Sequence, residues 1–98
     1  MQVFEAVPFP LTVSAPSGKS GVSMTVTATP GAGAPGISSY TFQFGDGTFT
    51  GPTPLNTVPH TYTLPAGTTV PVQFIINVTA RGVDGRTGVG SVAVTIVP

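Results

Sequence analysis

Few residues in this 98-residue chain could do chemistry: one histidine, His60; two aspartates, Asp46 and Asp84; one glutamate, Glu5; and many serines and threonines, with no cysteine. A Ser-His-Asp relay is the first chemistry such a set suggests. It needs a base within reach of a nucleophile and an oxyanion cradle at the same place. The chain has no nucleophile-elbow sequence, and Asp46 has no nearby carboxylate partner for paired acid and base work. Without cysteine there is no disulfide framework, thiolate metal site or cysteine nucleophile. The expectation is therefore that His60 bonds to backbone near the Gly45-Asp46-Gly47 corner, that Asp46 serves the turn, and that Tyr62 packs its ring inward. No catalytic residue and no enzyme activity are expected.

The elements that must hold these residues alternate by two. Tyr40-Thr41-Phe42-Gln43-Phe44 places Tyr40, Phe42 and Phe44 on one face of a strand, because extended backbone sends successive side chains to opposite faces. The strand stops at Gly45-Asp46-Gly47, where two glycines permit φ > 0 on either side of Asp46. Leu11, Val13 and Ala15 form one further candidate strand, and Val22, Met24, Val26 and Ala28 another. The run from Val70 to Ala80 puts Val72, Phe74, Ile76 and Val78 on one side, and Gly90 to Val97 turns Val92, Val94 and Ile96 inward. Between Gly47 and Leu64, prolines 52, 54 and 59 predict edge or irregular strands. With 13 glycines and 11 prolines breaking any helical period, about seven short strands result. Turn signals recur about every 8 to 12 residues, the pattern of an all-β, two-sheet antiparallel β-sandwich of the immunoglobulin-like kind. Residues 10–98 read as one sandwich domain, and residues 1–9 as a linker or extra edge strand.

Composition narrows the partners. Three basic residues against three acidic ones leave no net charge, so no patch can neutralise several phosphates, and nucleic acid is excluded as a partner. No apolar run approaches the roughly 20 residues of a membrane span, so no membrane insertion is expected. Met1-Gln2-Val3-Phe4-Glu5 lacks the basic start and apolar middle of a signal peptide; if the domain is exported, its targeting segment lies elsewhere. Charge poverty, at 6% charged residues, and many threonines fit an extracellular or cell-surface setting.

The ordered set Phe42-Gln43-Phe44-Gly45-Asp46-Gly47-Thr48, His60-Thr61-Tyr62, Gly67-Thr68 and Val78-Thr79-Ala80 resembles the polycystic kidney disease (PKD) domain family over about residues 10 to 97. The resemblance implies an immunoglobulin-like fold. It also implies a non-catalytic module of surface proteins and secreted hydrolases, used as a spacer, mechanical element or interaction surface. Phe42 stands where the family usually has tryptophan, and Gln43 and Ala80 replace two frequent aspartates. Some PKD-like domains bind calcium through clustered carboxylates, but calcium wants six to eight oxygens. Glu5, Asp46 and Asp84 are too few, so no metal and no cofactor are expected.

The structural motif is thus Phe42, Phe44, Gly45, Asp46, Gly47, His60 and Tyr62. Phe49 and Ile75 fall outside the core pattern and are the candidate contact residues, although one exposed phenylalanine without tryptophan makes a poor carbohydrate platform. Asn77-Val78-Thr79 fits a glycosylation acceptor but reads as a polar position on a solvated strand face. Arg81 and Arg86, which flank the Gly82–Gly85 turn, read as solubilising residues. The expected partners are neighbouring domains of the same chain, a protein or polysaccharide fibre served by an accessory domain of a secreted hydrolase, or further copies of the chain in a surface layer or virion. Mechanical load is expected to fall on hydrogen bonds between Leu11–Ala15 and Gly90–Val97.

Overall fold

Among the described residues, period-two alternation broken by glycine and proline produces eight strands and no helix. The structure is a computed structural model that describes residues 9–98; positions 1–8, which hold Glu5 and most of the expected linker or edge strand, lie outside the described residues. The strands are β1 (Leu11–Ser14), β2 (Gly18–Lys19), β3 (Ser23–Pro30), β4 (Ile37–Gln43), β5 (Phe49–Thr53), β6 (Thr57–Thr61), β7 (Val72–Gly82) and β8 (Thr87–Val97). They form a three-stranded sheet in the order β1-β3-β6 and a five-stranded sheet in the order β2-β8-β7-β4-β5. The fold is an all-β sandwich. Every pairing is antiparallel except β2 with β8, which is parallel.

Between the sheets lie the alternating apolar residues: Leu11 and Val13 of β1, Met24, Val26 and Ala28 of β3, Tyr40 and Phe42 of β4, Ile76, Val78 and Ala80 of β7, and Val94 and Ile96 of β8. Burying such side chains against a facing sheet supplies the stability that a chain without disulfides needs. The proline-marked strands β5 and β6 are both sheet edges, where a residue without an N–H is tolerated. β5 joins β4 through an irregular register between Tyr40 and Phe42, beside Gly51 and Pro52.

Two expectations are corrected. Val22 is 53% exposed rather than inward; Gly21, with φ of 79°, turns the chain just before it, so β3 begins one residue later. Nor do β1 and β8 share a ladder: β1 pairs with β3 from Leu11↔Pro30 to Ser14↔Thr27. After Pro16 the chain crosses to the other sheet, where β2 takes the free edge of β8 in the register Gly18↔Ile96 and Lys19↔Val97. β1 meets β8 by close packing instead. A Cβ on Gly90 would stand 2.9 Å from Val13 Cγ2, nearer still to the Leu11 carbonyl oxygen, and one on Gly88 would run into Phe9. Their bare backbones let the sandwich close there.

The registers set two poles. At one, Phe9 donates to the Thr87 carbonyl (3.3 Å) and Gly31 to the Pro10 carbonyl (2.8 Å). At the other, Ser20 donates to the Val97 carbonyl (2.8 Å) and Leu64 to Ser20 Oγ (2.9 Å). Phe9 therefore sits at one end of the sandwich and Pro98 at the other.

Candidate functional site

The aromatic face of β4 ends where the chain must turn, and Phe44, Asp46, Thr48, His60 and Tyr62 converge on that corner. The Phe44 N–H donates to the Thr48 carbonyl at 3.2 Å, closing a loop of five residues. Gly45 and Gly47 adopt φ of 81° and 92°. Asp46 Oδ1 accepts from the Thr48 N–H (3.0 Å) and from the Thr48 hydroxyl. Its other oxygen, Oδ2, meets His60 Nε2 at 2.9 Å. This differs from the expected backbone partner for His60: β6 carries the ring across to the five-stranded sheet, where the carboxylate is the acceptor within reach.

Partial burial alone would raise the Asp46 pKa, but the hydrogen bonds from Thr48 and His60 outweigh it and hold the carboxyl below its ordinary value. Near neutrality Asp46 is then an acceptor only, so His60 donates through Nε2–H. The imidazole lies flat on Phe44 with ring centroids 3.7 Å apart and planes 3° apart, and meets Tyr62 edge-on at 4.5 Å. Tyr62 in turn stacks on Phe74 at 4.5 Å and donates its hydroxyl to the Phe44 carbonyl at 2.6 Å. Burial, with the Asp46 charge adding to it, pushes the Tyr62 phenol up to about 12, so it remains a donor across the physiological range. The rings of Tyr40, Phe42, Phe44, His60, Tyr62 and Phe74 form one continuous run joining the two sheets.

Chemically, the order of groups decides the reading. A relay requires the histidine between acid and hydroxyl, whereas here Asp46 stands between Thr48 and His60. No hydroxyl among the described residues is bonded to His60, and the ring is clamped on one face by Phe44. Asp84 is far from this corner, in the β7–β8 hairpin, where it pairs with Arg86 Nε at 2.7 Å. Arg86 also donates to the Gly33 carbonyl at 3.1 Å, so it ties the hairpin to the 31–36 loop as well as solubilising it. No three His, Asp or Glu residues among those described come together as a metal cluster.

Acid should loosen this corner. Because the folded Asp46 pKa lies below its unfolded value of about 3.9, its contribution is complete above that value and is lost as pH falls through the folded one. Melting temperature should therefore fall below about pH 4. In Asp46→Asn that step should shrink and the neutral-pH stability drop by about 1 kcal/mol, the part-exposed hydrogen bonds being screened. Thermal melts of both proteins between pH 7 and pH 2 check this; parallel curves would refute it.

On the opposite side of the five-stranded sheet, strand register assembles something that alternation alone does not reveal. Phe49 pairs with Gln43, Gln43 with Asn77, and Asn77 with Ser91, one row across four strands. Phe49 is 68% exposed and Ile75, one position along β7 on the same face, 46%. Phe49 is the first residue of β5. A cleft of about 310 Å³ opens at its end of the row, lined by Gln43, Gly45, Gly47, Thr48 and Phe49. Gln43, read in the sequence only as a departure from the family motif, and Ser91 were not expected as contact residues; only their outward parity in β4 and β8 signalled exposure.

No protein-family model and no curated protein matches the chain. Solved structures do. The PKD domain of an M14-like peptidase from Thermoplasmatales archaeon SCGC AB-540-F20 superposes with a TM-score of 0.68 at 17% identity, covering 96% of this chain and 100% of that one. The PKD1 domain of the Vibrio cholerae metalloprotease PrtV gives 0.71 at 14% identity, covering 94% and 100%. At such identities the agreement is one of fold: the chain resembles the PKD domain family in its immunoglobulin-like sandwich.

Proposed function

We propose that this domain is a non-catalytic module of a larger extracellular or cell-surface protein, holding its neighbours apart and offering them a contact surface. The observation that carries this reading is the placement of Phe9 and Pro98 at opposite poles. A chain that enters at one end and leaves at the other keeps the domain before it away from the domain after it. The eleven residues of β7 or β8, at about 3.3 Å each, make that separation roughly 36 Å. Both solved neighbours are domains of peptidases, which supports membership in a larger assembly. The corner built on Asp46, His60 and Tyr62 acts as a brace.

Tension between the ends would run lengthwise along the strands. It would shear the four register pairs of β1 with β3 and the two of β2 with β8, not a terminal β1–β8 ladder. Loaded in shear, the bonds of each patch share the force. Two copies joined in tandem by their native ends should show a maximum dimension in X-ray scattering longer than one copy by roughly 35 Å. A tandem that lengthens by less than half of that, its copies folded side by side, would refute the spacer reading.

A further inference from the structure

We propose that Pro59 closes a surface on which a second copy of this chain would otherwise pair, strand to strand, along the free edge of β6. This goes beyond the spacer reading; the separation of the two poles does not depend on it, so its failure would leave that reading standing. β6 is an outer strand of the three-stranded sheet, and an outer strand presents one row of backbone N–H and C=O groups to solvent. Which groups those are follows from the register. Ala28 donates to the Asn56 carbonyl at 2.8 Å, and this pair stands one step before Thr27↔Thr57 in the β3–β6 ladder. Antiparallel pairs alternate between bonded and non-bonded, so Val58 and His60 direct their backbone groups to β3, while Thr57, Pro59 and Thr61 turn theirs outward. All three are exposed. Proline removes the middle donor of the row.

The row is symmetric about residue 59, and that selects a copy of the chain as the partner. In antiparallel pairing of β6 with β6 across a two-fold axis through this residue, Thr57 stands opposite Thr61 of the second copy, and residue 59 opposite itself. An N–H at residue 59 would complete the middle pair. With proline, that pair loses both of its donors and two rings face each other over the axis. A sideways slip does not escape this: every register that joins more than one pair from positions 57, 59 and 61 includes position 59.

Charge does not keep the copies apart. No Asp, Glu, Lys or Arg lies in β1, β3 or β6, so the charged side chains that commonly protect an edge are missing. Zero net charge gives no repulsion at longer range. Beside the row, the outward face consists of Thr25, Thr27 and Thr29 of β3 with Thr12 and Ser14 of β1, neutral side chains that a continued sheet would tolerate. The other edges are closed in other ways. β1 turns its free side to β8, where the Leu11 carbonyl lies against Gly90. β2 is two residues long and ends in Lys19, and β5 has an irregular register and carries Pro52. Among the described residues, β6 is thus the regular, exposed edge whose protection rests on a single side chain.

The test uses the 98-residue chain and two variants, Pro59→Thr and Pro59→Lys, both of which restore the N–H. Sedimentation equilibrium at pH 7 from about 10 μM to about 1 mM reads the mean mass, and backbone amide exchange reads the edge. The parent should keep the mass of one chain, with Thr57 and Thr61 exchanging at least about tenfold faster than Val58 and His60. Pro59→Thr should approach the mass of two chains at the highest concentration, its Thr57 and Thr61 amides gaining protection as it does so. Pro59→Lys should stay single, because like charges would stand opposite each other on the axis. The proposal is overturned by a parent whose mass rises as that of Pro59→Thr does, by Pro59→Thr remaining a monomer, by association that protects amides outside β6, or by Pro59→Lys associating as strongly as Pro59→Thr. Slow exchange of Thr57 and Thr61 in the dilute parent overturns it as well, and that measurement stands even if a variant fails to fold.

Discussion

Replacing Tyr62 by alanine should cost about 4 kcal/mol, lowering the melting temperature by roughly 20 °C. That is a large part of what a domain of this size has, since folded domains are stable by only about 5–15 kcal/mol. Tyr62 is 1% exposed and touches both sheets: its ring packs on Phe74 of β7 and against His60 of β6, and its hydroxyl closes on the Phe44 carbonyl at the end of β4. Alanine would leave a cavity lined by Phe74 and His60 and would strand a buried carbonyl. Tyr62→Phe separates the two losses. It keeps the ring and removes the hydrogen bond, and should cost about 1.5 kcal/mol, the penalty of a buried acceptor left unpaired. Urea unfolding of the three proteins gives the order. If the phenylalanine variant loses as much as the alanine one, the corner works through its hydrogen bond and the ring packing argument fails.

How far the sequence leads can be judged at these same residues. The inward parity of Phe42, Phe44, Ile76, Val78, Val94 and Ile96 is a property of each strand alone, so local alternation suffices to place them in the core. The proline-bearing strands β5 and β6 are edges for an equally local reason, the missing N–H. The partner of His60 was not legible, because it depends on β6 and the β4–β5 turn meeting across the sandwich from 14 residues apart. Nor was the strand partner of β1, since the pairing of Leu11–Ser14 with β3 rather than β8 is a relation between separate strands that alternation within either one does not carry. The polar row was hidden for the same reason. Gln43, Asn77 and Ser91 align only once the register is set, and that register includes irregularities between Ile37 and Ser39 and between Tyr40 and Phe42 which no pattern in the chain announces.

The two glycines of the Gly45-Asp46-Gly47 corner look equivalent in sequence and should behave very differently when each is changed to alanine. Both have positive φ, 81° and 92°, a conformation that costs a side chain about 1–2 kcal/mol. At Gly47 that is the whole effect, because a Cβ there meets nothing within 4 Å. At Gly45 a Cβ would sit 2.5 Å from the Ile75 carbonyl oxygen and 3.2 Å from the Ile75 nitrogen. Ile75 belongs to β7, hydrogen-bonded between β4 and β8, so its backbone cannot give way without disturbing the centre of the sheet. Overpacking of this kind adds about 1–3 kcal/mol. Gly45→Ala should therefore cost about 3–4 kcal/mol and Gly47→Ala about 1 kcal/mol, measured by chemical denaturation at pH 7. The larger loss has a second consequence. Pushing residue 45 away from Ile75 carries Asp46 away from His60, so Gly45→Ala should also flatten the loss of stability on acidification, which Gly47→Ala should retain. Equal costs for the two variants would mean that the loop yields where it meets β7, and the corner could not then be the rigid brace between the two sheets.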